Sequence, residues 1–112
     1  HIEDVVKATF EIALNSKPGE TWHISSKKKI SIKDLVIKIC NRLDVNFNEI
    51  VEISKERLGK DQSYLLDSNK LREKFHWEDT ISLDDGLDET IDWVRKYLKL
   101  FQNISWEYEH KL

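Results

Sequence analysis

Ser31-Ile32-Lys33-Asp34-Leu35-Val36-Ile37-Lys38-Ile39-Cys40-Asn41-Arg42-Leu43 is the stretch on which the reading of this chain turns. Ser31 offers a hydroxyl for an N-cap, and Asp34 stands at the capping-box position three residues on. Behind them Ile32, Leu35, Val36, Ile39 and Leu43 follow the i, i+3, i+4, i+7, i+11 series of one helical face. The spacing predicts an amphipathic helix. Cys40 lies on its apolar side, as a small core residue rather than a nucleophile.

Upstream, Ile2 to Asn15 carries Ile2, Val5, Val6, Thr9, Phe10, Ile12 and Ala13, a broad apolar helical face. Lys17-Pro18-Gly19 ends it, since proline cannot continue a helix and glycine supplies turn conformations. Thr21-Trp22-His23-Ile24 reads as a short strand. Downstream, Ile50-Val51-Glu52-Ile53 and Ser63 to Leu66 are two further strand candidates, with Arg57-Leu58-Gly59-Lys60-Asp61 as a loop between them. Asp67-Ser68-Asn69 supplies cap oxygens for a short helix with Leu71 and Phe75 on one side. Ser82-Leu83-Asp84-Asp85 opens a long helix with Leu83, Leu87, Ile91, Val94, Leu98 and Phe101 inward. Its acidic first half and its Arg95, Lys96 and Lys99 suit the helix dipole. The tail, about 102–112, has no clear period. The expected fold class is α/β, helix-rich with a small sheet. So little strand cannot cover these helices, which implies a layer packed against something larger.

The chain has 112 residues, the length of a single domain spanning 1–112. Charged residues make up 35% and apolar residues 39%, the balance of a soluble domain with a highly charged surface. A net charge of −3 gives no global attraction for nucleic acid or anionic membrane. Gly19, Gly59 and Gly86 are too far apart for a dinucleotide loop or a phosphate-binding loop. Cys40 is the lone cysteine, which excludes an internal disulfide framework and fits a reducing, cytoplasmic setting. No apolar run is long enough to span a membrane. The chain begins at His1 and contains no methionine, so a fragment of a longer protein is expected.

Few constellations carry chemistry. His1, His23, His76 and His110 do not pair with one another or with Cys40 at zinc-ligand spacing. Lys27-Lys28-Lys29 precedes a helix cap and reads either as a solvated loop or as an anion contact. Arg57-Leu58-Gly59-Lys60-Asp61 sets two cations around a glycine. An arginine fork suits a phosphate bidentately, and glycine lets backbone approach a ligand. Exposed Arg/Lys loops are also common, so composition leaves both readings open.

Several segments taken together carry a resemblance. His1-Ile2-Glu3-Asp4-Val5-Val6-Lys7-Ala8 resembles the H-V-x-D-V-x-x-A segment of extended short-chain dehydrogenase/reductases that act on nucleotide sugars. Gly19-Glu20-Thr21-Trp22-His23-Ile24 resembles their G-E-x-Y-N-I strand. Arg57-Leu58-Gly59-Lys60-Asp61, followed by Tyr64-Leu65-Leu66-Asp67-Ser68-Asn69-Lys70-Leu71, resembles the R-P-G-H-D…Y-x-x-D-x-x-K-x stretch of the dTDP-glucose 4,6-dehydratase branch. Phe75-His76-Trp77 stands where that branch has L-G-W. Ser82-Leu83-Asp84-Asp85-Gly86-Leu87 with Thr90-Ile91-Asp92-Trp93 resembles its closing helix.

The resemblance implies the C-terminal, substrate-binding part of an NAD-dependent, Rossmann-fold nucleotide-sugar enzyme, with the N-terminal Rossmann domain absent. It implies NAD bound by that missing domain and a nucleotide-diphosphate sugar as partner, with no nucleic acid or membrane. Arg57, Gly59 and Lys60 would be the substrate-binding residues, with Arg57 beside the diphosphate and Lys60 in place of the family's histidine. Leu58 replaces the proline and His23 the strand asparagine, which leaves base and sugar open. No catalytic residue is expected here: Tyr64, Tyr97 and Tyr108 are followed four positions on by Ser68, Phe101 and Leu112, not by lysine. The full enzyme would oxidise the sugar at C4, eliminate water across C5 and C6 and return the hydride to C6. It would be a homodimer, and this chain would be inactive alone and lack that interface. A 4-epimerase or decarboxylase of the same superfamily, or a non-catalytic sugar-nucleotide or partner-binding module, are the alternatives.

Overall fold

The structure, a computed structural model, describes residues 1–53, 59, 61, 63–102 and 104–105. Its helices are α1 (Ile2–Asn15), α2 (Ile32–Leu43), α3 (Phe47–Ile50), α4 (Asn69–Phe75) and α5 (Leu83–Phe101). They fall into two compact units, His1–Ser82 and Leu83–Leu112.

Local chemistry sets most of the helix ends. Ser31 Oγ accepts from the Asp34 N–H at 3.0 Å and donates to the Asp34 carboxylate at 2.7 Å, so the cap of α2 forms as its sequence predicts. Asp44 closes α2 in the left-handed region at φ 54°, where a short polar side chain is tolerated. α1 stops at Ser16, and the following turn holds Gly19 at φ 86°. α3 was not expected from the sequence. Asn46 caps it, with its side-chain oxygen accepting from the Asn48 N–H at 3.0 Å, and this overrides the β-propensity of Ile50 and Val51.

More than half of the described residues are helical and none is a strand. The small sheet expected of an α/β chain is therefore corrected: Thr21 to Ile24, Ile50 to Ile53 and Ser63 to Leu66 form no ladder. A ladder consists of backbone N–H to C=O bonds between neighbours. Where the first and last of these segments meet, side chains take the acceptors instead. Ser25 Oγ donates to the Leu66 carbonyl at 2.7 Å, and Ser68 Oγ donates to the Ser25 carbonyl at 3.0 Å.

The core of the first unit is Ala8, Leu71 and Trp77, with Ile12, Trp22, Ile24 and Phe75 packed around it. The Trp22 and Phe75 rings lie 5.0 Å apart, tilted. α1 turns a narrow row, Asp4, Ala8 and Ile12, to this core. Of the broad apolar face that its sequence suggests, Ile12 packs against the core, while Ile2, Val5, Val6 and Phe10 stay exposed. Cys40 is buried, as expected. In the second unit no residue of α5 is fully buried. Trp93, Tyr97 and Phe101 stack along the helix at 5.3–5.5 Å from the Trp93 ring.

Candidate functional site

The first unit is closed by a carboxylate. Asp4 is only 1% exposed although it lies on a helix. An ionised carboxylate buried there is costly unless donors surround it. Three do: the N–H groups of Thr80 and Ile81 reach Oδ2 at 3.1 and 3.0 Å, and Thr80 Oγ1 reaches Oδ1 at 2.8 Å; Trp77 Nε1 adds a bond to the main-chain carbonyl of Asp4 at 3.1 Å. The Ile81 N–H, aided by both Thr80 donors and opposed by burial, holds the Asp4 carboxyl below its ordinary range. Asp4 thus ties the first helix to a segment more than seventy residues away.

A second knot sits on α4. Arg72 Nε donates to Ser68 Oγ at 3.0 Å, and Nη2 donates to the Ser25 carbonyl at 3.0 Å and to Asp79 Oδ1 at 2.6 Å. Its guanidinium also lies 4.8 Å from the Trp77 ring centre. Ser26 Oγ donates to the other Asp79 oxygen at 3.0 Å. The Arg72 guanidinium, with Ser26 adding and burial opposing, holds the Asp79 carboxyl below its ordinary range. Lys70 Nζ donates to the Thr21 carbonyl at 3.0 Å and covers the Trp22 ring at 4.0 Å.

These contacts hold residues 63–68, which lead into α4: Ser25 pins them at Leu66 and Ser68. Of the three expected binding residues, Arg57 and Lys60 lie outside the described residues. Gly59 is exposed, with φ at 77° and open space where a Cβ would stand. That conformation calls for glycine on backbone grounds. The Lys27-Lys28-Lys29 run is exposed, with the Lys28 N–H donating to Ser26 Oγ at 3.1 Å.

Other chemistry is sparse. A shallow depression of about 530 Å³ is lined by Glu20, Trp22, Lys70, Glu73 and Lys74, whose mixed charges select no single sign of ligand. Among the described residues no group of three His, Cys, Asp or Glu side chains could hold a metal ion. No described helix is long and apolar enough to cross a membrane. The sequence reading missed Ser25, Arg72 and Asp79. The i, i+4 spacing of Ser68 and Arg72 signals their pairing. Nothing in the sequence signals Ser25, 47 residues before Arg72.

No family model matches the chain. Curated proteins do. A dTDP-glucose 4,6-dehydratase of Escherichia coli is 25% identical over 93% of this chain. A probable dTDP-glucose 4,6-dehydratase of Sinorhizobium fredii is 25% identical over 83%. A trifunctional UDP-glucose 4,6-dehydratase/UDP-4-keto-6-deoxy-D-glucose 3,5-epimerase/UDP-4-keto-L-rhamnose-reductase of Arabidopsis thaliana is 31% identical over 94%. The chain spans only 32%, 28% and 16% of their lengths, respectively. The resemblance to dTDP-glucose 4,6-dehydratases read from the sequence therefore holds over almost the whole chain.

Proposed function

We propose that this chain is the C-terminal, nucleotide-sugar-binding part of a nucleotide-sugar 4,6-dehydratase of the dTDP-glucose type. The observation that carries this reading is the similarity to dTDP-glucose 4,6-dehydratases along 93% of the chain, which spans about a third of the relative's length. Similarity to the UDP-glucose enzyme leaves both bases as candidates.

The described residues do not fit a dinucleotide. Gly19 and Gly59 stand in turns with open space where a Cβ would stand among the described residues, and Gly86 lies within α5. NAD, which would supply the hydride acceptor for such chemistry, would therefore be held by another part of a longer protein. This chain holds the substrate. Arg57 clamps the diphosphate with its fork, Lys60 adds a second cation, and Gly59 supplies the turn that joins them. Ser25 and Ser68 hold residues 63–68, which follow these positions in sequence, with Arg72 behind them.

The test uses the longer enzyme with dTDP-glucose and UDP-glucose. Losing a bidentate phosphate contact costs on the order of 1.5–3 kcal/mol, so Arg57→Ala should lower kcat/KM roughly 10- to 150-fold. Arg57→Lys keeps the charge without the fork and should recover part of the loss. Unchanged sugar-nucleotide affinity in Arg57→Ala, with a lower melting temperature, would give Arg57 a structural role instead. The 112-residue chain alone should show no turnover of either substrate.

A further inference from the structure

We propose that α1 is a two-sided helix, and that its outer row, Ile2, Val6, Phe10 and Leu14, is the seat for an apolar layer of the longer polypeptide outside this chain. The proposal rests on the reading of this chain as part of a longer enzyme. Every fourth residue of an α-helix falls on one ridge. Three neighbouring ridges of α1 differ sharply. Asp4, Ala8 and Ile12 face the core of the first unit. Glu3, Lys7 and Glu11 form a charged ridge beside them. Ile2, Val6, Phe10 and Leu14 form the next, and are 66%, 58%, 62% and 64% exposed.

A helix with one apolar side rests on a surface, whereas one that is apolar on two sides lies between layers. The layer on the Asp4 side is present. The layer on the Phe10 side is absent among the described residues, which leaves a contiguous row of four large apolar side chains in water. Such a row marks an interaction surface rather than ordinary scatter.

Two observations choose the occupant. The chain spans 32% of the length of the dehydratase it resembles, so the longer protein has ample polypeptide to form a covering layer. The ridge beside the row mixes signs, Glu3 and Glu11 with Lys7, so it forms a polar rim and not the one-sign field that would draw a charged ligand or a membrane surface.

The experiment places Phe10→Glu in the 112-residue chain and in the longer protein. In the chain alone the variant should keep the helical circular dichroism and the melting temperature, and should lower self-association in sedimentation. In the longer protein it should lower the melting temperature by on the order of 10 °C, because it puts a charge into a covered apolar seat. Phe10→Ser carries no charge and should show the same contrast at smaller size, which guards against misfolding by the glutamate. Ala8→Glu, on the inner ridge, should disrupt both proteins. If both Phe10 variants leave the longer protein unchanged, the proposal is overturned. If they also abolish self-association of the chain, the row belongs to a second copy. Dehydratase turnover of the unsubstituted longer protein separates the two readings. Turnover with indifferent Phe10 variants removes the seat alone. A melting shift without turnover removes the dehydratase reading alone.

Discussion

Helix α2 and the Asp4–Trp77 seam are built on opposite terms. α2 has the clearest apolar period in the chain, yet it buries only Cys40 and leaves Ile32 74% exposed. The seam has no period at all. It joins Asp4, Ser25, Arg72, Trp77 and Thr80, drawn from distant parts of the sequence, and it surrounds the best-buried residues, Ala8 and Leu71. Periodicity shows that a helix has an apolar side. It does not show where the core lies, because the core forms where a few polar side chains stitch distant segments over a small apolar centre.

The sharpest way to break this contrast is Trp77→Ala. The indole packs on the Ala8 and Leu71 centre, lies under Arg72 and donates to the Asp4 carbonyl. Truncating a buried aromatic costs about 3–5 kcal/mol. Thermal and urea melts should show the first unit largely unfolded. By contrast Ile32→Ser on α2, at an exposed position, should stay within about 0.5 kcal/mol. Equal losses from the two substitutions would erase the distinction.

The helices were largely legible because their signals are local. The cap at Ser31, the proline stop after Asn15 and the apolar series of α5 each depend on residues within a few positions of one another. Cys40 was likewise legible as core. The strands were not. Thr21 to Ile24 and Ser63 to Leu66 have strand-like composition, but a strand exists only through a partner, and here serine and arginine side chains occupy the carbonyls of Ser25 and Leu66. α1 misled for a related reason. Its broad apolar face was plain, but its buried side is the narrow row that contains Asp4, and one of two adjacent acids in the first turn gives no sign that Thr80 and Ile81 will meet it. At the candidate site the turn at Gly59 could be read from its residue type, whereas Arg57 and Lys60 stand on the sequence resemblance.

Acid should separate the two regions next. Asp4 and Asp79 both bind protons less readily in the folded chain than at the ordinary value of 3.8. A carboxyl with a lowered folded value adds stability that is complete above the unfolded value and is lost as pH falls through the folded one. Stability should therefore be level from neutrality to about pH 5 and fall steeply below about pH 4. Asp4→Asn should lower the urea midpoint at neutral pH and flatten the acid limb. An acid limb as steep as that of the parent chain would show that Asp4 does not carry it. Helix α2 should lose helicity only with the rest of its unit.

The smallest expected effect belongs to Ser31, and it tests α2 on its own terms. Ser31 Oγ accepts from the Asp34 N–H at 3.0 Å and donates to the Asp34 carboxylate at 2.7 Å, and both groups are exposed. The bond satisfies one of the N–H groups that a helix start leaves without a partner. Because water competes for the same groups, Ser31→Ala should cost only about 1 kcal/mol, and Ser31→Gly only a few tenths. The loss should appear as fraying of the first turn of α2, read as faster amide exchange at Lys33 and Asp34, while exchange at Leu71 and Trp77 is unchanged. If protection at Trp77 falls with that at Asp34, the cap is coupled to the seam, and α2 is part of the cooperative core despite its exposure.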